Sequence, residues 1–300
     1  MEHPDYIKKT PELLQPDIVS MLTEIHEHRV EQQIYIAADG DLFSPLLETA
    51  RTNSIEIFKR FSGMSVTEER FKLIVLNKTI PANQNEQEIA GYRDALVRIN
   101  ANYEFLPLNL NTVLDIHREL FKYSSSSGGS CKNAEFTKAL ETLCGAYNEA
   151  LRQQYAEPLL LIPLLCADLL RLSPFPVGNA RVSQLLTLLL LYRSGYIIGK
   201  YNAIEHSTDV RQFLAALNKA YAEFSHTAKV ITAKSISKPE RIRKLIKRTD
   251  GTITKSEIMA QCPDISQITV QRTLADLLAK GEILKISGGR YTSYIWNREK

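Results

Sequence analysis

Long apolar runs are scarce in this chain of 300 residues. The two longest, PLLLIPLLCADLL (158–170) and LLTLLLLY (185–192), fall short of the about 20 residues that a bilayer crossing needs. Both are expected to be buried core helices, and no membrane is expected as a partner. The first residues, MEHPDYIKKTPELLQ, are charged and lack the apolar stretch of a secretion signal. Cysteine is sparse: Cys131, Cys144, Cys166 and Cys262 are scattered, with no C-x-x-C pair. That pattern argues against a disulfide framework or a zinc site and suits a reducing cytoplasm. The six histidines form no ligand pattern, and His26 and His28, two apart, cannot share a helix face. No metal site and no internal repeat is expected.

Positive charge is present but unevenly spread. From Lys238 to Lys300 there are 13 Lys and Arg against 7 Asp and Glu, a balance of +6, which leaves 24 against 27, or −3, for the rest. A basic tail on a near-neutral body points towards nucleic acid. Most of the body reads as helix. DIVSMLTEIHEHRVEQQIY, NEQEIAGYRDALVRINANY and NAEFTKALETLCGAYNEALRQQ carry apolar residues at helical spacing. Ser44 is read as a cap with Pro45 at the first helical position, and Asn111 or Thr112 as the cap of LDIHRELF. SSSSGGS (124–130) reads as a flexible loop. These patterns predict a mainly α chain: an all-α domain over 1–235, then a small α+β domain over 236–300.

The tail is punctuated at every step. Pro239 opens a helix, Thr254 with Glu257 forms a capping box, Ser266 caps QITVQRTLADLLAK, and Gly281 ends it. EILKISGGRYTSYIWN then alternates around Gly288–Gly289 as a hairpin. Helix, short helix, longer helix and basic hairpin make a winged helix-turn-helix. Val270, Leu274, Leu277 and Leu278 would face its core. Gln267, Thr269, Gln271 and Arg272 would then line the turns that enter a DNA major groove, with Lys255 and the wing's Arg290 near phosphates. Protein contacts or dimerisation are the other use of such a domain.

One stretch of the body carries possible chemistry: RLSPFPVGNARVSQLLTLLLLY (171–192). A turn broken by Pro leads through Gly178, Asn179 and Arg181 into a long helix. Unsatisfied N–H groups at a helix start, a close-approach glycine and an Arg fork suit a phosphate. From so short a motif alone, a plain N-cap with a surface Arg is the preferred reading.

The chain resembles the Fic (Fido) family, in its class with an N-terminal inhibitory helix and a C-terminal winged helix. The blocks that carry the likeness are EIAGYRDAL (88–96), LDIHRELF (114–121), SPFPVGNARVSQ (173–184), LLTLLLLYRSGY, and SKPERIRKLIK with CPDISQITVQRTL. The family's motif is H-P-F-x-(D/E)-G-N-G-R-x-x-R, and its activity is transfer of AMP from ATP to a protein hydroxyl. The resemblance implies a nucleotide loop built from Phe175, Gly178, Asn179, Ala180, Arg181 and Gln184. It places Ser173 where the family has its catalytic base, and a serine hydroxyl cannot act as one near neutral pH. Val177 stands at the Mg²⁺ ligand and offers no oxygen. Ala180 replaces a phosphate-binding glycine, and Gln184 replaces the last Arg. The segment ahead of FTKALETLCGAY is too short for the family's target-docking flap. Thr52 to Glu56 match the inhibitory motif, whose Glu would meet neutral Gln184 instead of an arginine.

Two functions follow as expectations. One is a catalytically silent Fic-like regulator that joins a vestigial nucleotide loop to a DNA-binding domain. The other is an altered protein adenylyltransferase that recruits His117 or Glu56. ATP is the nucleotide such a loop would take, Mg²⁺ lacks its ligand, and double-stranded DNA, a protein partner and a second copy of the chain are the partners implied.

Overall fold

The computed structural model describes residues 4–124, 128–153, 157–235, 237–288 and 291–297. The chain divides into two compact units, Met1–Ala228 and Lys229–Lys300.

The first unit is helical: α1 (Tyr6–Glu12), α2 (Pro16–Asp39), α3 (Ser44–Phe61), α4 (Glu68–Val75), α5 (Gln84–Asn102), α6 (Leu110–Leu120), α7 (Ala134–Arg152), α8 (Pro158–Leu172), α9 (Asn179–Arg193) and the first part of α10 (Val210–Ser235). The leucine-rich run is its centre. Between Val182 and Tyr192 every residue of α9 is buried except Gln184, which is partly so. A helix apolar all round needs cover all round, and α5, α6 and α8 pack against it. Among the described residues no helix is long and apolar enough to cross a membrane.

Local signals explain most helix starts. Asn83, Asn109 and Asn133 each place a side-chain oxygen on a first-turn N–H. Two caps fall elsewhere than the sequence suggests. A 3₁₀ turn at Gly40–Phe43 runs directly into α3, so Ser44 is already helical and caps nothing. Asn109, two residues earlier than expected, caps α6 because its Oδ1 reaches the Thr112 N–H at 2.9 Å. The helices α1 and α4, of 7 and 8 residues, were not expected: each is too short to repeat its apolar spacing over several turns.

The second unit is a winged helix: α11 (Lys238–Arg248), β1 (Ile253–Thr254), α12 (Lys255–Gln261), α13 (Gln267–Ala279), β2 (Ile283–Gly288) and β3 (Tyr291–Trp296). The sheet is antiparallel with order β1-β3-β2, and its register runs from Ile283 opposite Trp296 to Gly288 opposite Tyr291. Its core is Ile242, Ile246, Ile258, Ile265, Val270, Leu274, Leu277 and Ile283, with Tyr294 and Trp296 packed on it. The capping box of Thr254 and Glu257 is fully formed. The short strand β1 was not expected: two residues are too few to show alternation.

Candidate functional site: the loop before α9

Two left-handed residues shape the loop. Ser173 ends α8 with φ 47° and ψ 58°, which turns the chain into Pro174 and Phe175. Gly178, with φ 83°, is the N-cap of α9. A Cβ at Gly178 would lie 2.7 Å from the Phe121 ring, so the glycine is required both by its backbone angle and by the aromatic packed on it. Phe175 is wholly buried and holds the middle of the loop in the core.

The loop's polar groups are satisfied from within. Asn179, in the first turn of α9 and not its cap, binds the Phe175 backbone twice. Its Oδ1 accepts from the Phe175 N–H at 3.0 Å, and its Nδ2 donates to the Phe175 carbonyl at 2.9 Å. Arg181 donates to Glu88 of α5 at 2.6 Å, and both side chains are largely buried, 21% and 11% exposed. The guanidinium also lies over the rings of Phe58 and Phe121, at 5.8 and 5.7 Å. Phe58, on α3, is itself stacked on Tyr92 at 4.1 Å. The Lys132 N–H donates to the Pro174 carbonyl at 2.9 Å, which ties the segment ahead of α7 to the loop. Among the described residues no strand lies between α6 and α7; part of the serine-rich stretch, 125–127, falls outside them.

His117 underpins this arrangement from α6. Its ring stacks on Phe175 at 3.9 Å, with 8° between the planes. Nδ1 accepts from the Gly129 N–H at 2.7 Å, which leaves Nε2 to carry the proton and donate to the Val177 carbonyl at 3.1 Å. Only 2% of the residue is exposed, and burial holds its pKa below the ordinary histidine value. Both ring nitrogens are engaged in holding the loop.

Other residues at the loop do not meet as the sequence suggests. Glu56 pairs with Lys59, one turn along α3, at 2.8 Å, because a carboxylate finds a lysine at i+3 more cheaply than an amide across the fold. Among the described residues no hydrogen bond joins Glu56 to the Gln184 amide, and the buried Gln184 Oε1 has no hydrogen-bond partner. The Gln184 side of α9 borders a cavity of about 20 Å³ lined also by Ser54, Phe58, Tyr92 and His206. Thr52 is partly buried, Ala180 is exposed, and Val177 is half-exposed with an isopropyl group at the expected metal position. Behind Gln184, His206 bonds Ser183 Oγ at 3.2 Å and Thr187 Oγ1 at 3.1 Å. Burial lowers its pKa to about 4.

Glu88, Phe121, Phe58 and His206 are the residues that sequence reasoning missed. Glu88 opens one of the quoted blocks and Phe121 closes another, but nothing in their spacing says that either meets Arg181.

In the second unit, Gln267, Gln271 and Arg272 lie exposed on one side of α13, away from buried Val270, Thr273, Leu274 and Leu277. Thr269 is half-buried, bonded through its N–H and hydroxyl to the capping Ser266. Several cations are neutralised: Arg241 by Asp264, Arg243 by Glu240 and Glu282, Lys280 by Asp276. Among the described residues Lys255, Arg272 and Lys285 carry no ion pair. Arg290 lies outside the described residues.

No protein-family model matches the chain, and no curated protein matches it by sequence. Solved structures do. A Fic family protein from Desulfovibrio desulfuricans aligns with a TM-score of 0.57 at 14% identity, over 100% of this chain and 99% of that one. A Fic-domain-containing signalling protein from Bacteroides thetaiotaomicron aligns with a TM-score of 0.52 at 16% identity, over 74% of this chain and 100% of that one. A fragment of Fic-1 from C. elegans reaches 0.59 at 15% identity, over 75% of each chain. At such low identity the likeness is one of architecture. Two-thirds or more of the chain is covered each time, and on that ground its fold is that of the Fic proteins.

Proposed function

We propose that this chain is a catalytically silent Fic-fold regulator, whose former nucleotide loop is closed by its own side chains and whose winged helix binds duplex DNA. The observation that carries the first half is the engagement of Arg181. The loop's one remaining cation is held by Glu88 between two aromatic rings, where an incoming phosphate would have to break a largely buried ion pair. Asn179 is spent on Phe175, and Phe121 covers one side of Gly178. The residues present do not fit a Mg²⁺ nucleotide: Val177 supplies no oxygen, and the donors that would neutralise phosphate charge are already paired.

The DNA half is supported by exposed Gln267, Gln271 and Arg272 on α13, and by the unpaired charges of Lys255, Arg272 and Lys285. Side chains of these types read adenine and guanine edges and contact phosphates.

The direct test is incubation of the purified protein with labelled ATP, Mg²⁺ and cell lysate, with and without Glu56→Gly. The expected outcome is no transferred label in either case. Label transfer that disappears in Arg181→Ala would overturn the silent reading and make the chain an altered adenylyltransferase.

A further inference from the structure

The most exposed large aliphatic side chain of the winged helix is on the helix expected to enter DNA. Ile268 is the second residue of α13, and 64% of it is exposed. Its neighbours are not apolar. Gln267 precedes it, and Gln271 and Arg272 follow at i+3 and i+4, so they share its face. Ala275, one turn further, is exposed on the same side. The opposite face of α13 buries Val270, Leu274 and Leu277 in the core, so Ile268 contributes nothing to folding that the core needs. The position is rigid, because the Ser266 Oγ accepts from the Thr269 N–H and fixes the first turn.

We propose that Ile268 is a specificity-determining residue that packs on the C5-methyl group of a thymine in the major groove. The proposal rests on the DNA-binding reading above. Polar side chains at a recognition helix distinguish bases by their hydrogen-bonding edges. The thymine methyl is the one apolar group the major groove offers, and an aliphatic side chain is what recognises it. The surrounding charge selects DNA over an apolar protein partner: Arg272 lies beside Ile268, and Lys255 and Lys285 are cations without an ion pair among the described residues. Such cations suit phosphates. An Ile flanked by two Gln and an Arg matches a mixed groove surface better than it matches a hydrophobic interface, where charged residues are depleted.

The test uses the full chain. A random duplex pool is selected to give a preferred sequence. Each thymine of that sequence is then replaced singly by uracil, which removes the methyl and leaves every hydrogen-bonding group in place. For the unaltered protein, uracil at one thymine, or at its symmetry mate, is expected to weaken binding about fourfold, the worth of one buried methyl group. Ile268→Ala is expected to bind the thymine and uracil duplexes equally, while Ile268→Val and Arg272→Ala keep the difference. The substitution is at an exposed site, and an unchanged circular-dichroism spectrum checks that the domain is intact. A pool that enriches no sequence removes the DNA reading and this inference with it. An enriched sequence indifferent to uracil at every position, or one still sensitive to it with Ile268→Ala, overturns the role of Ile268 and leaves DNA binding standing.

Discussion

Arg181 and Glu88 are the pair on which the loop's closure depends. Removing one partner of a largely buried ion pair leaves the other charge without compensation, which costs more than the pair itself contributes. Glu88→Gln is therefore expected to destabilise the protein by about 2–3 kcal/mol, read as a lower urea midpoint. The double variant Glu88→Leu with Arg181→Met should recover most of that loss. If Glu88→Gln leaves the midpoint unmoved, Arg181 is free to bind an anion. The two buried histidines give a second expectation. His117 and His206 have pKa values held below the ordinary one by burial, so the unfolded chain takes up protons that the folded chain refuses. Unfolding then binds protons below about pH 6.5, and stability falls as pH falls, by about 1.4 kcal/mol per unit for each histidine. For His206 this loss continues to about pH 4. Denaturation midpoints measured between pH 7 and pH 5, above the main carboxylate range, should decline, and more gently in His206→Gln. A flat profile would mean that neither ring is buried neutral.

At the scale of elements, two helical glycines separate packing from propensity. Gly91 of α5 faces α6 so closely that a Cβ would lie 2.0 Å from the Leu120 carbonyl oxygen. Gly91→Ala must push α5 and α6 apart, and about 3 kcal/mol or more of destabilisation is expected. Gly145 of α7 has nothing within 4 Å of its Cβ position. Gly145→Ala is expected to stabilise by about 0.5–1 kcal/mol through helix propensity alone. Thermal unfolding of the two variants checks the pair, and equal effects would refute the close approach of α5 to α6. The same contrast marks what the sequence could reveal. The run 185–192 announces a buried helix by composition, and Thr254, Ser266 and Gly281 announce the winged helix by local chemistry. Those signals are short-range, so they are legible. The partner of Arg181 lies 93 residues away, and the ring over Gly178 comes from Phe121, the residue that caps the end of α6. Tertiary contacts of that kind have no local signature. That a loop runs into a buried helix here was therefore readable, but the contacts that hold the loop were not. Glu56 is the converse case: a motif match suggested a long-range contact, and a lysine at i+3 took the carboxylate.

Taken whole, the chain carries its excess positive charge in the last fifth of its length, +6 over residues 238–300 against −3 elsewhere. Net charge alone does not say where DNA would lie, because a cation already held by a carboxylate releases no counterion on binding. Arg241, Arg243 and Lys280 are held in this way. Lys255, Arg272 and Lys285 have no ion pair among the described residues. The salt dependence of binding to duplex DNA should therefore resolve the two groups. Each phosphate contact steepens the fall of log K with log salt by about 0.9. Lys255→Ala and Lys285→Ala are each expected to make the slope shallower by about one, measured by fluorescence anisotropy between about 50 and about 200 mM salt. Arg241→Ala should leave the slope alone, since its guanidinium is bound by Asp264 at 2.6 and 3.0 Å. Equal effects from all three would mean diffuse attraction by net charge, without a defined docking face. A binding signal insensitive to salt would turn the winged helix from DNA towards a protein partner.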